Sequence, residues 1–310
     1  MTAHLISVGK SLLEFFAAPD EFVDAALAER IADVKPHRMI VNQTGGPEPV
    51  DAWLRRCLVD RDPETLDRLG DACEKITPRL WPARVSAELD TFARVPSSRV
   101  PMDPADIAVL ISSDTADGLI AALWNAVALA HGDLDRILYL SDPEDGLEVE
   151  PGNAVVARVR GMDVGDESGF RTAMRGFGVL GGQLARRWEG QEDVPFRCYL
   201  SGGFKAAIPC LISLAEGLRS LPGKRPVDAY VLHELTEGPA IKVPLRFLPP
   251  EVVREELTRF SDGSSRHPPK DRRLEGYAYE EHKAECCWRL TPHGEGLLAL
   301  FQAAPEGLLR

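Results

Sequence analysis

The stretch Phe196-Arg197-Cys198-Tyr199-Leu200-Ser201-Gly202-Gly203-Phe204-Lys205 decides the fold. Its first five residues read as a short buried strand. Ala206 to Leu218 then read as a mostly apolar helix, with Pro209 in its early turns. A strand that runs through a glycine pair into a helix is the building unit of an α/β sheet. Glycine admits backbone geometries closed to other residues and lets a ligand approach closely. Backbone N–H groups at a helix start attract phosphate, and Lys205 adds a mobile positive charge. The loop reads as a phosphate cradle with one lysine; a solvated lysine at the sheet edge is the plainer alternative.

The same strand-to-helix pattern recurs outward from this loop. His4 to Val8 reads as the first strand, Gly9-Lys10-Ser11 as the turn after it, and Leu12 to Ala18 as the start of a helix. A charged, helical region from Glu21 to about Phe92 follows, broken by a Gly/Pro loop at Thr44 to Pro49; it reads as an insertion covering one edge of the core or forming an interface. Ile107 to Ile111 is a buried strand. Ser112-Ser113-Asp114-Thr115 then carries helix-capping chemistry before a helix from Ala116 to Ala130. Further strands are expected at Arg136 to Leu140, Ala154 to Val159 and Asp228 to Glu234, with a helix from Glu167 to Trp188 and a short edge strand at Ala240 to Val243.

This alternation predicts a mostly parallel, doubly wound, Rossmann-like sheet. Ligands of such sheets sit beyond the carboxyl ends of the strands. Gly9-Lys10-Ser11, Ser112–Thr115 and Ser201–Lys205 each follow a strand, so all three loops are expected on one rim. Asp114 and Thr115 fit helix caps and fit contacts to a ribose or adenine edge equally well. Pro249-Pro250 marks a boundary between a domain over 1–250 and a module over 251–310. In that module a helix from Glu251 to Phe260, strands at Leu274 to Glu280 and Ala284 to Leu290, and a helix opened by Thr291-Pro292 read as a small winged helix.

Composition narrows the function classes. Of 310 residues 44% are hydrophobic, enough for a substantial core, yet no stretch is long and apolar enough to span a membrane. The first residues lack the layout of a signal peptide, which points to the cytoplasm. The net charge of −12 argues against a protein whose main task is gripping long nucleic acid. Residues 251–310 hold nine Lys/Arg against eleven Asp/Glu, so the module lacks the basic footprint of a DNA reader, and a dimerisation or lid role suits it at least as well. The six cysteines form no CxxC pair, there is no HExxH, and there is no GxxxxGK[ST]; structural zinc, zinc hydrolysis and NTP hydrolysis are not indicated, and no cofactor or metal is expected.

Five segments in order carry a family resemblance: Leu5-Ile6-Ser7-Val8-Gly9-Lys10-Ser11-Leu12-Leu13, Ser86-Ala87-Glu88-Leu89, Leu110-Ile111-Ser112-Ser113-Asp114-Thr115-Ala116-Asp117-Gly118, Ser201-Gly202-Gly203-Phe204-Lys205-Ala206 and Tyr230-Val231-Leu232-His233-Glu234. Spanning residues 1–250, they resemble the CRISPR-associated Rossmann-fold (CARF) proteins, in particular the standalone ring nucleases. The resemblance implies a homodimer that binds cyclic oligoadenylate, most often the tetra-adenylate, and cuts it without a metal, the ribose 2′-hydroxyl acting as nucleophile. Such cleavage switches off type III CRISPR antiviral signalling.

By motif position the family's catalytic serine and lysine map onto Ser11 and Lys205. Gly9, Lys10, Ser112, Ser113, Asp114, Thr115, Ser201, Gly202, Gly203, Phe204 and His233 then form the expected ligand-binding set, His233 doubling as a candidate base. Lys10 stands where many relatives carry a small or polar residue. The other readings are a messenger-gated regulator that acts through the winged helix on DNA or a partner, and a scaffold with a vestigial pocket.

Overall fold

Strand β1 (Ala3–Ser7) is buried at all five positions, which only a central strand of a sheet covered on both faces allows. The computed structural model describes residues 1–17, 46–80, 86–162, 166–191, 193–203, 207–223, 225–232 and 238–305. In it β1 pairs in parallel with β2 (Ile107–Ser112) on one side and β5 (Phe196–Tyr199) on the other. With β3 (Ile137–Leu140), β4 (Ala154–Arg158), β6 (Val227–Val231) and β7 (Ile241–Val243), the sheet has seven strands in the order β3-β4-β2-β1-β5-β6-β7. Only the edge strand β7 runs antiparallel to its neighbour. The expected Rossmann-like α/β architecture is present.

Side chains alternate between the two faces with the period of two that a strand imposes. Leu5, Val109, Ile111 and Val155 face one core, whereas Ile6, Ala108, Leu110 and Val156 face the other. The second face is covered by α1 (Ser11–Ala17), α2 (Glu48–Leu54), α3 (Pro63–Leu80), α4 (Ala87–Arg94) and α5 (Ala116–Leu129). The described part of the expected helical insertion lies over this face of the sheet and reaches the edge strand β3, where Asp51 accepts the Tyr139 hydroxyl. The first face carries α6 (Glu167–Arg187) and α7 (Ile208–Arg219).

Two polar residues lie in β1, Ser7 at its end and His4 in its interior. His4 is 1% exposed, and its ring nitrogens meet the Tyr199 hydroxyl at 2.8 Å and an Asp106 carboxylate oxygen at 3.3 Å. Burial pushes its pKa down and outweighs the pull of Asp106.

Beyond residue 250 come α8 (Pro250–Leu257), a three-stranded antiparallel sheet and α9 (Pro292–Ala303). The sheet contains β8 (Ser264–Ser265), β9 (Tyr279–His282) and β10 (Cys287–Leu290), with β10 in the middle. The strand expected from Leu274 starts instead at Tyr279. Glu256, 3% exposed, accepts the Arg273 and Leu274 N–H groups at 2.9 Å each and the Tyr279 hydroxyl at 2.8 Å. These bonds hold the intervening residues as turns.

The core runs on across residue 250: Phe301 and Leu300 of α9 share it with Phe177 and Leu180 of α6. Gly178, Gly181 and Gly182 of α6 let the two helices approach closely. No helix among the described residues is long and apolar enough to cross a membrane.

A paired substitution tests this helix contact. A Cβ on Gly178 would collide with the Gly296 carbonyl oxygen, which is backbone and has no easy escape, while a Cβ on Gly176 would meet Val159 at an ordinary 3.5 Å. Gly178→Ala is expected to lower unfolding stability by about 1–3 kcal/mol, as overpacking does. Gly176→Ala is expected to raise it by about 0.5–1 kcal/mol through helix propensity. Denaturant melts of the two variants beside the parent check both signs.

Candidate functional site

The chain leaves β1 toward β2 over one face of the sheet and leaves β5 toward β6 over the other. A crevice therefore opens between the carboxyl ends of β1 and β5, the point where ligands of doubly wound sheets bind. The Gly9 and Gly202 turns meet there. A Cβ on Gly9 would stand 2.6 Å from the Gly203 nitrogen, and one on Gly202 would run into the Glu88 carboxylate and the Ser7 carbonyl. Gly203 has φ +93°, a left-handed conformation that favours glycine. The Ser7 hydroxyl donates to the Gly202 carbonyl at 2.7 Å, and Leu232 N–H donates to Ser201 Oγ at 2.6 Å, so the loop is tied to both flanking strands.

Ser11 lies beside these turns, half-buried. Its hydroxyl donates to Glu88 Oε2 at 2.9 Å, and its oxygen accepts the Ala87 N–H at 3.2 Å. Glu88 Oε1 accepts the Gly9 N–H at 2.6 Å. Two contacts anchor the helix that carries Glu88: Ser86 caps it by accepting the Leu89 N–H at 3.0 Å, and the same hydroxyl donates to Asn125 of α5 at 2.8 Å. Glu88 is the residue that the sequence reading quoted but gave no role. Its only local signal is a serine cap two positions before it, and nothing in that pattern announces a partner at Gly9. Lys10 points to solvent and pairs with Glu14 at 3.5 Å, both well exposed, a contact of little energetic weight.

The Ser112–Thr115 loop follows β2 on the same rim. Thr115 caps α5 by accepting the Gly118 N–H at 3.0 Å, and its hydroxyl lies 2.9 Å from that of Ser113. Ser112 is buried and donates to the Ser113 carbonyl at 2.8 Å. Asp114 is engaged by Arg158 Nε at 2.7 Å and by the Gly161 N–H at 3.0 Å. Of the expected site residues, the structure brings together Gly9, Ser11, Ser201, Gly202 and Gly203. It gives Asp114 and Thr115 protein partners of their own. Phe204, Lys205 and His233 lie outside the described residues.

Arg158, 1% exposed, closes the otherwise apolar β4 and gathers a carboxylate network. Besides Asp114 it binds Glu48 at 2.7 Å and Asp51 at 3.4 Å. Its burial acts to lower its pKa, but the bonds to Glu48 and Asp114 outweigh that and raise it. Asp51 accepts the Tyr139 and Ser141 hydroxyls at 2.5 Å each. Burial acts to raise the Asp51 pKa, yet these hydroxyls together with Arg55 and Arg158 hold it below the ordinary aspartate value.

None of the six cysteines, all of them among the described residues, forms a disulfide. Burial pushes Cys198 up to about 12 and Cys210 up to about 11, as expected of inert core thiols. Among the described residues, one group has donor spacing suited to a metal: His282, Glu285 and Cys287, within 4.8 Å of one another. It sits on the β9–β10 turn, away from the rim loops in sequence and sheet, and Arg289 already engages Glu285. A groove of about 760 Å³ lined in part by Arg219, Asp228, Lys242 and Phe247 lies at the amino end of β6, opposite the rim.

No family model matches the chain. No curated protein matches it either.

The Asp51 pKa sets a pH dependence. The folded carboxyl is harder to protonate than the unfolded one, so its contribution to stability is complete above the ordinary aspartate value and is lost as pH falls through the folded value. The stability advantage of the parent over Asp51→Asn, from urea melts, is expected to be level from pH 7 down to about pH 5 and to shrink only as pH falls below the ordinary aspartate value.

Proposed function

We propose that this chain binds a cyclic oligoadenylate at the crevice between β1 and β5 and cleaves it without a metal, the tetra-adenylate being the favoured ring. The observation that carries the reading is the meeting of the Gly9 and Gly202–Gly203 turns beside Ser11 at the sheet's switch point. It adds to the ordered motifs that resemble CARF ring nucleases. A two-fold pair of chains would place two such crevices around one ring. In the cell, loss of the ring would end a type III CRISPR signal in the cytoplasm.

The chemistry asks for little beyond placement. A ribose 2′-hydroxyl must stand in line with the leaving 5′-oxygen across phosphorus, and holding that geometry supplies much of the rate. In this reading Ser11 holds the attacking hydroxyl. Negative charge then builds on the phosphoryl oxygens, where fixed donors lower the barrier. The Gly9 N–H is already taken by Glu88, so the backbone-donor role falls to Gly202 and Gly203, with the Lys205 ammonium as counter-charge. The regulator reading needs a helix free to enter a DNA groove. Leu297, Leu298, Leu300 and Phe301 of α9 are buried, and no lysine or arginine lies on that helix. A structural role for the last sixty residues fits those facts better.

Purified protein is to be incubated with cyclic tri-, tetra- and hexa-adenylate in EDTA, and the products resolved by mass. The expected result is conversion of one ring to linear products ending in 2′,3′-cyclic phosphate, lost in Lys205→Ala and Ser11→Ala. Intact rings under all conditions would overturn the reading, and tight binding without turnover would turn it toward a messenger-gated regulator.

A further inference from the structure

Glu88 is 1% exposed, and among the described residues no cation pairs with it. Its described polar partners are neutral: the Gly9 N–H at 2.6 Å and the Ser11 hydroxyl at 2.9 Å. A buried carboxylate that accepts a hydroxyl's hydrogen bond at the wall of a crevice has the geometry to take that proton in general-base catalysis.

Burial decides how Glu88 can take part. Ser11 reaches the rim, whereas Glu88 lies behind it, so a substrate hydroxyl meets Ser11 first and Glu88 only through it. The serine hydrogen already points at Glu88 Oε2. Of the two lone pairs on Ser11 Oγ, the Ala87 N–H at 3.2 Å uses one, and the other remains to accept a proton.

We propose that Ser11 and Glu88 form a two-step proton relay that removes the proton from the attacking ribose 2′-hydroxyl. The inference rests on the ring-cleavage reading above. As the 2′-oxygen bonds to phosphorus, its O–H bond breaks and the proton passes to Ser11 Oγ. The hydrogen that Ser11 carried moves to Glu88 Oε2, leaving a neutral carboxylic acid and an unchanged serine. The P–O5′ bond breaks, and the 5′-oxygen keeps the electron pair and takes a proton from solvent. Glu88 then returns its proton to solvent, so no net proton is gained or lost. Ser11 touches the substrate; Glu88 acts through it as the positioning residue and final acceptor, and the Gly9 N–H fixes its carboxylate.

The test uses the full-length protein with cyclic tetra-adenylate, in steady-state kinetics, ring-binding titrations and thermal melts. Glu88→Gln keeps the shape and an oxygen for the Gly9 N–H but cannot accept the proton. It is expected to lower kcat by about 10²–10³, the range a lost general base gives, with KM and ring affinity within about twofold. Ser11→Ala is expected to lose a similar factor, and the double variant no more than either single one, as residues acting as a unit do.

A proton inventory of the parent protein in mixed H₂O and D₂O needs no variant and is expected to bow, as two protons in flight require. The relay is overturned if Glu88→Gln keeps its kcat, if its loss follows KM or melting temperature instead, if the two losses multiply, or if the inventory is linear. If Glu88→Gln does not fold, the inventory decides. A parent that leaves every ring intact overturns the ring-cleavage reading as well. A parent that cleaves while any of those four results holds overturns the relay alone.

Discussion

The parallel pairing of β1 with β2 on one side and β5 on the other is the constraint on which the rest depends. Because the chain crosses one face of the sheet on leaving β1 and the other face on leaving its neighbour β5, the turns after these two strands head apart above the sheet. That separation makes the crevice. It also demands glycine, since the two turns pass so close that a single Cβ on Gly9 would press on the backbone of Gly203. The mostly apolar faces of β1, β2 and β4 fix which residues reach the rim, because a slip of one position would exchange the two cores.

Charge at the rim is handled locally, despite the acidic balance of the chain. Arg158 draws Glu48, Asp51 and Asp114 into one network at the ends of β2, β3 and β4, and so couples helix α2 to the sheet. That network leaves Asp114 committed to the protein. At the β1–β5 crevice the arrangement is the reverse: a buried carboxylate is held by neutral donors, with a serine between it and solvent. The first arrangement is a structural ion network, and the second is the one on which the proposed relay rests.

The sheet was legible in the sequence because its strands are short apolar runs bounded by Gly, Ser and Asp turns, and such runs have few alternatives once helices alternate with them. The rim loops were legible for the same reason, each coming directly after a strand. The parts that were not legible depend on contacts distant in sequence. Glu88 finds Gly9 across 79 positions, and Arg158 finds Glu48 across 110. No local pattern encodes either meeting. The strand expected at Leu274 failed for a similar reason, since Glu256 binds the backbone there from α8. Gly178, Gly181 and Gly182 of α6 are weak helix formers by propensity, and the close packing of α9 against them explains their use.

The measurement that goes most directly to the central claim is hydrogen exchange of the full-length protein with and without cyclic tetra-adenylate. The account predicts slowed exchange confined mainly to residues 9–13 and 201–203, the two turns that line the crevice. Protection at the groove by Asp228 and Lys242, at the opposite end of the strands, with the crevice unchanged, would contradict it.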